Sequence, residues 1–223
     1  MPATHRQLYL AAYDIRDDRR RVGALKPLTD ARRSVAAALA GLTDPAALPD
    51  VAALRGIEGA AARAHFSGLA AVLPPSLGFT GRNRRPPRDP ANACLSLAYT
   101  LLHAEATGVA HAAGLDPLLG FYHRPAFGRE SLASDLIEPL RAEVDLWVWT
   151  LFRDRDLRED HFTLDKGACL LGKAGRQGFY AAWSAQVKPL RRWLRLRCAA
   201  LARTLRDEGM GLIDTDPEEE EAT

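Results

Sequence analysis

What most constrains this chain is a series of long apolar periods of helical pitch, each with its own start and stop signal. Asp50 precedes a stretch in which Val51, Leu54, Ile57 and Ala61 recur at intervals of three and four. The stretch runs past Phe66 to about Leu73, where Pro74 and Pro75 end it. An aspartate side chain accepts from the orphan N–H groups of a first turn, and proline lacks the donor that a helix interior needs. Asp89 and Pro90 repeat the arrangement of cap then proline and open a second helix to about Ala113, closed by Gly114-Leu-Asp-Pro117. Ser131 is expected to cap a third helix through Trp149. A last helix runs from about Gln177 to Arg206 with a kink at Pro189. A further helical pattern spans Asp30 to Leu42. The fold class is therefore mainly α, with an all-helical domain over residues 30–208. A short segment precedes it at 1–29, in which Gln7 to Ile15 reads as a strand, and an acidic disordered tail follows at 209–223.

Composition adds a partner class. The chain is 47% apolar, enough for a core. Its formal charge of +2 hides a split, because six acids and no base lie between Leu212 and the end, and setting them aside leaves a body at +8. Most of that excess is arginine, which raises nucleic acid as a partner. Cys94, Cys169 and Cys198 are far apart and form no Cys-x-x-Cys pair, so neither a disulfide framework nor a thiolate zinc site is expected. The first residues lack a signal-peptide core, and no run approaches the ~20 apolar residues needed to span a bilayer. A soluble, cytoplasmic protein without a membrane role is the expectation.

Three places put metal-binding side chains on ordered elements. Glu58 sits mid-helix in Arg55-Gly-Ile-Glu-Gly-Ala60, where each glycine weakens the helix by about 1 kcal/mol relative to alanine. Small neighbours suit a carboxylate that a backbone or phosphate must approach, although a solvated glutamate explains it as simply. His123 follows Gly120-Phe-Tyr in a loop, where a lone histidine is more often a surface or core residue than a ligand. Asp135 and Glu138 are three apart and share a helix face, opposite the apolar stripe of Leu132, Leu136 and Leu140. They repel unless a cation lies between them, or they merely form an acidic first turn favoured by the helix dipole. Arg141 and Asp145 continue the polar side.

Two or three carboxylates with one imidazole suit Mg²⁺ or Mn²⁺ better than zinc. In a basic protein such a cation points to phosphodiester chemistry. Arg82, Arg84, Arg85 and Arg88 fill the proline-rich loop, and Arg191, Arg192, Arg195 and Arg197 surround Trp193 on the last helix. Guanidinium groups bind phosphates bidentately, so both clusters are candidate DNA-binding surfaces, with a solvated basic face as the plainer reading.

Several motifs occur together and in order. They are Gly56-Ile-Glu-Gly59, Phe79-Thr-Gly-Arg-Asn-Arg-Arg-Pro-Pro-Arg-Asp-Pro-Ala-Asn-Ala93, Gly114-Leu-Asp-Pro117, Gly120-Phe-Tyr-His123, Ser131-Leu-Ala-Ser-Asp-Leu-Ile-Glu-Pro-Leu-Arg141 and Lys173-Ala-Gly-Arg176. Over roughly residues 30–205 the chain resembles the helical C-terminal domain of the CRISPR-associated Cas1 endonuclease/integrase family. The resemblance implies a metal held by Glu58, His123 and Glu138, with Asp135 a further acidic residue close by. It implies spacer acquisition, in which DNA 3′-hydroxyls attack phosphodiesters at the edges of a CRISPR repeat, together with a Cas2-type partner. Asn92 and Arg82 match family positions, and Asn92 is equally suited to a hydrogen bond near the site or to fixing the loop.

Family members carry a β-rich N-terminal domain through which two subunits pair. Only about thirty residues precede the helical domain here, so the homodimer stays open. Tyr13-Asp14-Ile15 with Arg16 to Arg21 resembles the start of Cas2, but one strand cannot build that protein's sheet, and no second activity is read from it. The alternatives are a non-catalytic DNA-binding remnant dependent on a partner subunit, and a general junction nuclease.

Overall fold

The computed structural model describes residues 50–213 and five positions between 29 and 37. The expected strand at 7–15, most of the 30–42 helix and the acids from Asp214 onward lie outside the described residues. Four α-helices are described: α1 (Val51–Val72), α2 (Pro90–Ala112), α3 (Ser131–Arg153) and α4 (Lys173–Ile213). Among the described residues none is long and apolar enough to cross a membrane. The described residues form two compact units, one from those up to Tyr99 with Arg141–Ser184, the other from Thr100–Leu140 with those from Ala185 on.

In the first unit Asp50 caps α1 as expected, its carboxylate accepting from the Ala53 N–H at 2.7 Å. The expected buried stripe is displaced along the helix. Val51 is 45% exposed, and the buried positions of α1 are His65, Gly68, Leu69 and Val72, so only the last two turns root it in the core. Asp89 opens α2 by accepting from the Asn92 N–H at 2.8 Å. Trp147 packs edge-on against Phe179 and Trp183 at 5.2 and 5.4 Å between ring centres, and Phe179 is wholly buried.

The expectation of helix throughout is corrected between α3 and α4. Strands β1 (Phe162–Asp165) and β2 (Ala168–Leu171) pair antiparallel, with Phe162 opposite Leu171. Their two-residue turn places Lys166 at φ 48° and Gly167 at φ 80°, both left-handed, as a tight hairpin requires. The Cys169 N–H donates to the Pro87 carbonyl at 2.7 Å, tying the hairpin to the arginine-rich loop.

In the second unit α2 contributes Leu102, Ala106, Val109 and Ala110 to the core, α3 Leu132, Ala133, Leu136, Ile137 and Leu140, and α4 Val187, Leu190, Leu194 and Cys198. Each set keeps the three-and-four spacing of one helix face. Helix α4 starts earlier than expected and continues past residue 208, where the tail was expected to begin; Pro189 lies within it. Ser131 is the first residue of α3, and its hydroxyl donates to the Arg124 carbonyl at 3.0 Å instead of capping the helix.

Candidate functional site

The second unit brings His123, Asp135 and Glu138 together. The loop between α2 and α3 runs so close to the first turn of α3 that only glycine fits at 120. A Cβ there would stand 2.7 Å from the Ser131 Cβ and 2.8 Å from Asp135 Oδ2. The three residues that follow direct their backbone N–H groups onto one carboxylate. Asp135 Oδ2 accepts from Phe121 at 2.7 Å and Tyr122 at 3.0 Å, and Oδ1 accepts from His123 at 2.9 Å. Oδ1 also meets the His123 ring at Nδ1, 2.5 Å away. The Asp135 side chain is fully buried, so it is no solvent-facing member of an acidic turn.

That bond favours the tautomer of the neutral ring that puts the lone pair on Nε2. With the proton on Nδ1 donated to Asp135, Nε2 carries the lone pair, and it lies 3.8 Å from Glu138 Oε1. Two donors each about 2.1 Å from one cation stand roughly 3–4 Å apart, so this pair fits two positions of a divalent ion. Asp135, with both oxygens already engaged, fits the outer role of orienting a ligand. Among the described residues no group of three or more His, Cys, Asp and Glu side chains is arranged to hold a metal.

Gly120→Ala probes the close approach. It is expected to lower stability by about 1–3 kcal/mol, seen as a fall in Tm, and to weaken any function of His123. An unchanged Tm would show that the loop yields without strain.

Glu58 stands on α1 in the first unit, exposed. Among the described residues, nothing beyond the helix's own backbone lies within 4 Å of a Cβ built at Gly56, and only Arg63 Nη1 approaches one at Gly59, at 3.8 Å. Among the described residues, then, the two glycines do not mark the close approach of another backbone.

The arginines divide. Arg84, Arg85 and Arg88 are exposed, as are Arg192, Arg195 and Arg197. Arg82 is committed to the fold, donating from Nη1 to Asn92 Oδ1 at 2.8 Å and from Nη2 to Ser96 Oγ at 3.0 Å, and burial pushes its guanidinium below the usual value. Asn92 fixes the loop. It accepts from the Asn83 N–H at 3.0 Å and donates to the Gly81 carbonyl at 2.8 Å and to Asp89 at 2.6 Å. Arg191 is engaged by Glu105 through a bidentate pair at 2.6 and 2.5 Å. Arg82 and Arg191 therefore leave the set of ready phosphate contacts.

One cluster escaped the sequence altogether. Asp145, expected on the polar side of α3, is 2% exposed and sits in the first unit between Tyr99 and His65. A signal existed, since its neighbours at i+3 and i+4 on the helix are the buried Val148 and Trp149.

Residues 4–185 match the family model described as CRISPR associated protein Cas1. The CRISPR-associated endonuclease Cas1 of Thermodesulfovibrio yellowstonii is 44% identical over 157 residues, 70% of this chain and 49% of that protein. This chain thus spans about half the length of that curated relative. Among solved structures, a partial Cas6-RT-Cas1–Cas2 complex matches with a TM-score of 0.70 at 22% identity, over 93% of this chain and 64% of that one. A casposase bound to its integration product matches with a TM-score of 0.68 at 22% identity, over 93% and 60%. At that identity the likeness is one of fold.

Proposed function

Because the chain belongs to the CRISPR-associated Cas1 family, we propose that it is a metal-dependent DNA endonuclease and integrase of spacer acquisition. The observation that carries the reading is the imidazole of His123, locked through Nδ1 on Asp135 with Nε2 turned toward Glu138. His123 and Glu138 are then two ligands of Mg²⁺ or Mn²⁺, and the family pattern makes Glu58 the third. A bound divalent cation would polarise a phosphoryl oxygen and lower the pKa of an attacking hydroxyl.

The chain's own part is to hold and orient. Asp135 keeps the His123 proton on Nδ1, which fixes the ring's tautomer and rotation. The exposed arginines at 84, 85, 88, 192 and 195 neutralise DNA phosphates along the protospacer and the repeat. In the joining step a DNA 3′-hydroxyl loses its proton and forms a new P–O bond at a repeat phosphodiester, while the existing P–O bond breaks and releases a hydroxyl end. A Cas2-type subunit as partner follows from the same reading, which would place the work in the cytoplasm; the homodimer of the family stays open for this chain. A solved relative of the same fold is a Cas1–Cas2 assembly and another is bound to an integration product. Residues 30–208 would be the catalytic domain, with the acidic tail limiting nonspecific DNA contact.

The purified chain with Mn²⁺, alone and with a Cas2-type subunit, should nick or join branched DNA, and a chelator should stop it. DNA binding without metal-dependent strand breakage under either condition would make it a binding subunit and sink the enzymatic reading.

A further inference from the structure

We infer that the buried cluster of His65, Asp145 and Tyr99 is a positioning device that sets where Glu58 stands; this rests on the reading of Glu58 as a metal ligand. No side chain from Val51 to Ala64 is fully buried, so the fully buried root of α1 begins at His65, beyond Glu58. The first buried side chain after Glu58 is His65. Its Nε2 is 2.8 Å from Asp145 Oδ2, while Asp145 Oδ1 accepts a short hydrogen bond from the Tyr99 hydroxyl. One carboxylate thereby joins α1, α2 and α3 within the first unit. The guanidinium carbons of Arg82 and Arg141 lie 5.5 and 5.1 Å from the centre of the Tyr99 ring, closing the cluster with positive charge. Burial pushes the Tyr99 phenol well above its usual value, so its hydroxyl remains a donor.

Helix geometry connects this root to the ligand. Glu58 and His65 are seven residues apart, which returns to the same face within about 20° and separates them by roughly 10.5 Å along the axis. A tilt of about 5° at His65 would move Glu58 by about 1 Å, and a misplacement of that size costs a reaction about a hundredfold. The glycines at 56 and 59 make this arm weak as a helix, so the direction of its root matters more. A buried carboxylate is a poor way to gain stability, since apolar replacements of similar volume often pack as well. Fixed geometry is what it supplies.

The test compares Asp145→Asn, which keeps shape, with Tyr99→Phe, which removes one hydroxyl and is the gentler change. Nicking is measured with Mn²⁺, Mn²⁺ affinity by electron paramagnetic resonance, and amide exchange by residue. Asp145→Asn should lower kcat by about 10–100-fold with KM for DNA within about twofold, weaken Mn²⁺ binding about tenfold, and speed exchange selectively over residues 52–62. Tyr99→Phe should shift all three readouts in the same direction by less. Wild-type kcat and Mn²⁺ affinity in both variants would overturn the inference. So would a loss that follows only a lower Tm and disappears on cooling, or exchange accelerated evenly along α1. Glu58→Gln separates the two levels: if it stays active, the ligand assignment fails. If it is inactive while Asp145→Asn is fully active, only the positioning role fails.

Discussion

Glu138→Ala is expected to abolish metal-dependent nicking and joining while leaving the fold as stable as before. The Glu138 side chain is 24% exposed, and its Oε1 faces His123 Nε2 at 3.8 Å. No third donor among the described residues shares that position as a group, so removing the carboxylate takes away one of two facing donors. Losing an outer partner of a metal ligand lowers affinity or activity by about 10–100-fold, and losing the ligand itself should exceed that. Stability moves the other way or hardly at all. Alanine is the best helix former, and the buried hydrogen bonds that hold the loop run through Asp135 and not Glu138, so the change should stay within about 1 kcal/mol. The readouts are the nicking rate with Mn²⁺ and Tm measured on the same preparation. Undiminished cleavage in this variant would remove Glu138 from the site and the proposed chemistry with it.

What could be read in advance follows from the range of the interactions involved. The starts of α1 and α2 were legible because an N-cap and a helix-opening proline act within one turn, at Asp50 and at Asp89 with Pro90. The hairpin was not, since Phe162–Asp165 and Ala168–Leu171 hold four residues each. So short an apolar run cannot be told from helix by period, and Lys166-Gly167 is a weaker turn signal than Asn-Gly. At the site, helical spacing puts Asp135 and Glu138 on one face but does not separate their surroundings. Only the path of the loop, tight against α3 at Gly120, shows that Asp135 receives three backbone N–H groups and the His123 ring. The arginine clusters were legible as charge and not as availability. Whether a guanidinium meets Glu105, as Arg191 does, or solvent depends on a residue 86 positions away. Asp145 failed for the same reason, because its partners come from α1 and α2 and leave no mark on its own helix except the apolar residues that flank it.

Asp135→Asn should separate from Glu138→Ala by striking stability and activity together. The carboxylate accepts four hydrogen bonds through two oxygens, and an amide replaces one of those oxygens with a donor. Whichever way the amide turns, an NH₂ then faces either the Phe121 and Tyr122 N–H groups or those of His123. A buried donor left unsatisfied costs about 1–3 kcal/mol, and two are stranded in either orientation. The expected loss is therefore about 2–6 kcal/mol, enough to shift a denaturant midpoint clearly with little change in its slope. Where the NH₂ faces His123 the ring also loses the acceptor of its Nδ1 proton, and in the other orientation a neutral carbonyl holds that proton more weakly than the carboxylate did. Its Nε2 would no longer be presented as a fixed lone pair, so nicking should fall about 10–100-fold even where the protein is fully folded. Raising Mn²⁺ should recover part of that rate, because orientation is damaged while both donors remain. No such recovery is expected for Glu138→Ala. An Asp135→Asn variant with the parent's midpoint and rate would show that the three-amide loop orders itself without the carboxylate, and that His123 needs no partner at Nδ1.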